Sequence, residues 1–159
     1  MQHLVSSMLR AFGAGDVIVC GGGNEAKKAL DGMAASSSLV DLIITDWMMP
    51  EGDGDNLTRW IRNHKEESIR FMPVLTISSH TSKEMIESSR DSGANEVLVK
   101  PLSGAKLARR ILSIIDTPRC FIKSPDFFGP DRRRHALQWA HGERRKTDPE
   151  MMEVHNEQP

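Results

Sequence analysis

Leu4, Val5, Met8, Leu9 and Phe12 recur at the three- and four-residue spacing of a helix, which predicts an amphipathic helix over residues 2–13. Asp16–Cys20 (DVIVC) is a short β-branched run that reads as a strand, followed by the flexible triplet Gly21-Gly22-Gly23. Asn24 is a suitable N-cap for a helix through Met33 with Ala26, Ala29, Leu30 and Met33 facing inward. Residues 39–45 (LVDLIIT) are almost continuously apolar, as in a strand covered on both faces. Gly52, Asp53 and Gly54 break the chain, and Leu57, Trp60 and Ile61 then take up helical spacing. Residues 74–78 (VLTIS) read as a strand entered through Pro73, where a missing N–H matters least. A helix over 82–92 should stop at Gly93, a natural residue for the position after a helix end. Residues 97–99 (VLV) form the next strand, closed by Lys100-Pro101, and Leu107, Ile111, Leu112, Ile114 and Ile115 mark a last helix over 103–115. Strictly alternating helices and strands imply a parallel sheet with crossover helices on both faces.

Three polar residues follow the apolar strands. Asp46 comes after LIIT, Ser78 closes VLTIS, and Lys100 comes after VLV. In a parallel sheet those carboxyl ends share one rim, where such folds carry their sites. Any one of them could simply cap a strand; a carboxylate, a hydroxyl and an ammonium on one rim form a chemical set.

Composition narrows the function classes without naming one. The chain has 159 residues and a formal net charge of −1, with 38% hydrophobic residues. That is room for one domain and a tail. Residues 1–116 carry 13 basic and 15 acidic side chains, 117–147 carry 8 and 3, and 148–159 carry 4 acidic and no basic ones. Five of the eight prolines lie after residue 116. The chain therefore divides into a folded part, 1–116, and a basic-then-acidic extension, 117–159, expected to be largely irregular. Neutral overall charge gives no general case for nucleic-acid binding, and no apolar run approaches the roughly 20 residues of a membrane helix. Cys20 and Cys120 are too far apart in sequence for a zinc knuckle or a CxxC pair, which fits thiols in a reducing cytoplasm. The His residues show no metal-ligand spacing.

Residues 46–54 (DWMMPEGDG), 73–81 (PVLTISSHT) and 93–101 (GANEVLVKP) together resemble the receiver domain of bacterial two-component response regulators. The resemblance covers residues 2–116 and implies a flavodoxin-like, doubly wound parallel sheet. It implies that Asp46 accepts a phosphoryl group from a histidine kinase or histidine phosphotransfer protein. Ser78 would contact that group, and Lys100 would pair with its oxygens beside a cis Lys100-Pro101 bond. A Mg²⁺ ion would be held by Asp46 and the backbone carbonyl of Met48. The chemistry suits these residue types, because phosphoryl transfer is driven by positioning and by neutralising oxygen charge. A downstream protein target, and a dimer, are the further partners the family suggests. The chain would be a signalling domain rather than an enzyme, with self-catalysed phosphotransfer and dephosphorylation.

Two departures from the pattern matter. The family's first strand, which ends in an acidic pair completing the Mg²⁺ site, has no counterpart before residue 2, so Mg²⁺ affinity and self-catalysis should be weak. That strand belongs between 16–20 and 40–45, and its absence should leave two unpaired edges. A start placed too late is the favoured account, ahead of repair by another segment or chain and of a degenerate receiver. Residues 119–123 (RCFIK) are the one strand-like stretch in the extension and a poor substitute. The second departure is Val97, where many receivers carry an aromatic side chain that transmits activation by rotating. His80 stands where the family often tunes dephosphorylation, or is simply an exposed loop residue.

The extension mixes Phe127, Phe128 and Trp139 with Arg132, Arg133, Arg134, Arg144 and Arg145. FGPDRRR tails resemble those of stand-alone receivers, which points to docking on the parent domain or on a partner; single-stranded nucleic acid is the third use of such a mixture. Residues 150–153 are expected to be a mobile end. The sequence thus supports a single-domain response regulator, with a phosphorylation-independent receiver-like binding module as the alternative.

Overall fold

The computed structural model describes residues 1–36, 38, 40–49, 53–79 and 82–132, and the backbone of 150–152. Among the described residues six helices and six strands follow one another: α1 (Gln2–Ala11), α2 (Gly23–Ala35), β1 (Ile43–Asp46), α3 (Gly54–Arg62), α4 (Glu67–Arg70), β2 (Val74–Ser78), α5 (Lys83–Asp91), β3 (Glu96–Val99), α6 (Gly104–Asp116), β4 (Phe121–Ser124), β5 (Phe127–Pro130) and β6 (Glu150–Met152). Strands β1, β2 and β3 form a parallel sheet in that order.

Alternation along the strands sorts the core into two layers. Val74 and Ile43 face a cluster containing Leu30, Leu57 and Ile61 from α2 and α3, Ile69 from α4 and Met72 just after it. Leu75, Ile77 and Ile44 face the other side, with Val5, Leu98 and Leu107 brought in by α1, β3 and α6. All five residues of β2 are buried, as the central strand of a sheet covered on both faces should be. The doubly wound parallel architecture is therefore present, in agreement with the reading of the sequence.

Local signals set the helix ends. Asp53 accepts the Asn56 N–H to cap α3, Ser82 accepts that of Met85 to cap α5, and Ser103 accepts that of Lys106 to cap α6. Gly93, at φ 101°, turns the chain after α5. Helix α2 departs from expectation: it starts at Gly23 with Gly22 as N-cap and no side-chain cap bond, so Asn24 lies inside its first turn.

Residues 16–20 are not a strand. They carry no ladder pairing, and Ile18 and Val19 are 60% and 49% exposed. A β-branched run becomes a strand only against a neighbour, and among the described residues β1 is paired on one side, to β2. Strand β1 is also shorter than expected, beginning at Ile43 where pairing with Val74 begins.

The described residues of the extension include three short strands. Strands β4 and β5 form an antiparallel hairpin around Pro125-Asp126, and β6 pairs with the other side of β4. Residues 150–152, expected to be mobile, thus supply a strand. The gain comes from burial that composition does not reveal: Phe121 and Ile122 are each 2% exposed. Phe121 and Phe128 also pack on Phe71 of the domain at ring-centroid distances of 5.0 and 5.2 Å. The strand-like segment forms its own sheet and does not complete the parallel one. Trp139, Arg133, Arg134, Arg144 and Arg145 lie outside the described residues.

Candidate functional site

Asp46 is the last residue of β1, Ser78 the last of β2, and Lys100 follows β3 directly. Register aligns these ends: Asp46 is level with Ile77, and Ser78 with Val99. The loops leaving the rim are tied across it, with the Trp47 N–H donating to the Ile77 carbonyl at 2.7 Å and the Lys100 N–H to the Ser78 carbonyl at 2.8 Å. The strand ends are thus clamped at the level where the three side chains leave the sheet.

Lys100 Nζ donates to Asp46 Oδ2 at 2.8 Å. Asp46 Oδ1 accepts the Met48 N–H at 3.3 Å. One carboxylate oxygen therefore faces the ammonium and the other a backbone amide. The Asp46 side chain keeps 17% of its surface exposed and Lys100 31%, so the pair is open to a ligand from the rim. Ser78 is 1% exposed and stands on the neighbouring strand. The Lys100-Pro101 peptide bond is cis, as the resemblance implied.

Gly54 is part of this site, a role the sequence did not reveal beyond a chain break. A Cβ placed there would collide with the Asp46 carbonyl oxygen and lie 3.2 Å from the Thr45 methyl. The Gly54 N–H also donates to the Trp47 carbonyl at 2.9 Å. Lack of a side chain lets α3 begin hard against the strand end that presents Asp46. No spacing rule in the sequence signals such a contact.

Hard oxygen donors suit Mg²⁺, and the Asp46 carboxylate and Met48 carbonyl are of that kind. Among the described residues no group of three or more His, Cys, Asp or Glu gathers to hold a metal. The donors present fit the ion in type but form a sparse set. His80, together with Pro50–Gly52, lies outside the described residues.

At the opposite end of the sheet, Arg62 and Glu96 are buried at 3% and 5% exposure, and sequence patterning singled out neither. Glu96 takes Arg119 Nη2 at 2.7 Å and Arg110 Nη1 at 3.1 Å, joining β3 to α6 and to the extension. Arg132 pairs with Asp91 and lies over the Phe127 ring, and a Cβ on Gly129 would sit 3.0 Å from the Gly93 Cα. Phe121 and Phe128 of the hairpin, and Arg132 just beyond it, are thereby engaged with the domain itself. Burial raises the Cys20 thiol pKa, and the nearby Glu25 charge adds to the shift.

The family model described as the response regulator receiver domain matches residues 1–112. The chain is 30% identical over 120 residues to the chemotaxis protein CheY-3 of Vibrio cholerae serotype O1, spanning 73% of this chain and 84% of that protein. It is 27% identical over 116 residues to the chemotaxis protein CheY of Pseudomonas aeruginosa, spanning 73% and 88%. Among solved structures, it resembles the receiver domain of the sensor histidine kinase PA1611 from Pseudomonas aeruginosa, which has a magnesium ion coordinated in its active-site cleft. The TM-score is 0.60 at 28% identity, over 73% of this chain and 88% of that one. The CheX–CheY–BeF3–Mg complex of Borrelia burgdorferi shares the fold at TM-score 0.62 and 21% identity, over 71% and 79%.

Proposed function

Because the chain belongs to the response-regulator receiver family, we propose that it is a single-domain response regulator that takes a phosphoryl group onto Asp46. The donor is a histidine kinase or histidine phosphotransfer protein, and the signal passes on by protein contacts in the cytoplasm. The observation that supports this best is the 2.8 Å pairing of Lys100 with Asp46 on the rim where Ser78 also ends its strand.

An Asp46 carboxylate oxygen attacks the phosphorus of a phosphohistidine; the P–O bond forms as the P–N bond breaks, leaving an acyl phosphate and a free imidazole. The transferring group carries its charge on its equatorial oxygens. Lys100, already within reach of Asp46, supplies a fixed positive charge there, and the Ser78 hydroxyl donates a hydrogen bond to one of those oxygens. Asp46 and the Met48 carbonyl would hold Mg²⁺, which adds positive charge to the same oxygens when bound. Receiver domains are signalling domains, and this chain acts as the phosphoacceptor rather than as a turnover catalyst. Its self-catalysed steps are weakened by the sparse metal ligands.

That sparseness is also the observation favouring a second reading, a receiver-like binding module that works without phosphorylation. Intact mass spectrometry after incubation with Mg²⁺ and acetyl phosphate separates the two. The first reading expects one added phosphoryl group in the parent chain and none in Asp46→Asn. An unmodified parent would leave the binding module. Nucleic acid is not the expected partner, since the Phe127 and Phe128 faces that stacking would need meet Arg132, Arg70 and Phe71. Among the described residues no helix is long and apolar enough to cross a membrane.

A further inference from the structure

Thr45 and Thr76 stand side by side in the parallel sheet, level with each other on β1 and β2. The alternation of both strands turns them to the face that carries Ile43 and Val74. Both are buried, at 4% and 0% exposure. A buried hydroxyl is costly unless it is hydrogen-bonded, and here the partners differ. The Thr76 hydroxyl has none among the described residues. The single hydrogen of Thr45 Oγ1 has two acceptors in reach, the Asp46 carbonyl oxygen at 3.2 Å and Met49 Sδ at 3.9 Å. The carbonyl is the stronger of the two.

That carbonyl belongs to the planar peptide unit joining Asp46 to Trp47. The N–H of the same unit donates to the Ile77 carbonyl at 2.7 Å. The peptide is therefore held at one edge by β2 and at the other by Thr45. The next amide, the Met48 N–H, donates to Asp46 Oδ1 at 3.3 Å, and its direction follows from the peptide before it. The Thr45 methyl has a separate place, 3.2 Å from where a Cβ on Gly54 would stand. One side chain thus has a packing end against α3 and a hydrogen-bonding end against the site.

We infer that the Thr45 hydroxyl is a positioning group for phosphoryl transfer. By holding the Asp46–Trp47 peptide it sets the angle at which the Asp46 carboxylate leaves the sheet, keeping Oδ1 on the Met48 amide while Oδ2 meets Lys100. The inference rests on the reading of Asp46 as the phosphoacceptor. Thr45 touches no transferring atom and acts through the backbone of its neighbour. Attack on phosphorus needs the carboxylate oxygen about 3–3.5 Å away and aligned with the breaking bond, and small misplacements are costly in rate. Without the hydroxyl the Asp46 carbonyl loses this donor and the peptide can rock about its remaining bond to Ile77. Thr76, one strand over, carries the same hydroxyl with no link to the site and is the matched control.

Two measurements on the full chain test this: phosphorylation by acetyl phosphate with Mg²⁺, timed by intact mass, and deuterium exchange of the Trp47 and Met48 amides, followed by NMR. Thr45→Val keeps the shape and loses the hydroxyl; it should be phosphorylated roughly tenfold more slowly and exchange both amides roughly tenfold faster. Thr45→Ser keeps the hydroxyl and loses the methyl, and should stay within about twofold of the parent in both. Thr76→Val should match the parent in both. Thermal midpoints within about 4 °C of the parent separate these effects from loss of the fold. Should Thr45→Val not fold, Thr45→Ser and Thr45→Ala, which differ in the hydroxyl alone, make the same comparison. A Thr45→Val variant that matches the parent in either rate overturns the inference. So does Thr45→Ser as slow as Thr45→Val, or Thr76→Val slowed as much. A parent that takes no phosphoryl group sinks the reading of Asp46 instead, and the exchange rates then decide whether Thr45 holds the peptide.

Discussion

Replacing Arg62 with Met tests how the lower end of the sheet is held. Arg62 is 3% exposed and makes no ion pair among the described residues. Nε donates to the Gly93 carbonyl at 2.9 Å, Nη1 to the Arg70 and Met72 carbonyls at 2.8 Å each, and Nη2 to Asn95 Oδ1 at 2.9 Å. Its carbon lies 5.0 Å from the centre of the Phe121 ring. Burial lowers its pKa to about 9, which still leaves it charged at neutral pH. Met matches the stem but supplies no donor, and three of the acceptors are backbone carbonyls that no substitution can remove. Four lost bonds to buried acceptors cost roughly 4–8 kcal/mol in gross terms, with about 1 kcal/mol more for the lost ring contact. Release from keeping a cation out of water returns several kcal/mol. The net expectation is a loss of about 3 kcal/mol, or a thermal midpoint lowered by about 6–12 °C for a chain of this size. Urea unfolding followed by circular dichroism measures it. Arg62→Lys, which keeps the charge but not the planar fork, should lose at least half as much. A Met variant within about 0.5 kcal/mol of the parent, or a Lys variant equal to it, would show that the fork does not brace this end.

Three other outcomes are expected. Gly54→Ala forces the start of α3 away from the Asp46 carbonyl; it should cost about 2 kcal/mol and lower the yield of Asp46 phosphorylation by acetyl phosphate, read by intact mass. Phe128→Ala removes the ring against Phe71 and under Arg70 and should destabilise the domain by about 1–3 kcal/mol in the same urea assay; no change would mean that the hairpin merely rests on the surface. With its pKa raised, Cys20 holds less thiolate at pH 8 than a free thiol, so iodoacetamide should label it more slowly than glutathione. Glu25→Gln should speed that labelling by removing one of the two causes.

Legibility along the chain followed the range of the interactions involved. Residues 74–78 were readable to the residue because a strand buried on both faces must be apolar throughout. Asp46, Ser78 and Lys100 were readable because each ends such a run. Gly93 was readable because a positive φ is a local demand, whereas the caps at Asp53, Ser82 and Ser103 were not singled out and Asn24 proved to lie inside its helix. Residues 16–20 were misread because β-branched composition describes half of a pair, and the described chain gives that segment no partner. Of the hairpin only the strand-like 119–123 was readable, because Phe121 and Phe128 pack against Phe71, some 50 residues earlier, and a basic, proline-containing stretch does not announce such a partner.

By itself the sequence determined three apolar strands separated by helices, at 43–46, 74–78 and 96–99, and hence a parallel sheet whose carboxyl rim carries a carboxylate, a hydroxyl and an ammonium. Those features depend on periodicity and on the order of residues along one chain, which local physics fixes. Tertiary structure alone decided that Lys100 reaches Asp46, that Gly54 must lack a side chain, that Arg62 is a buried cation held by carbonyls, and that Phe121 and Phe128 of the hairpin pack on the domain. Each of those depends on which atoms meet across a long loop, and packing of the whole chain sets that distance.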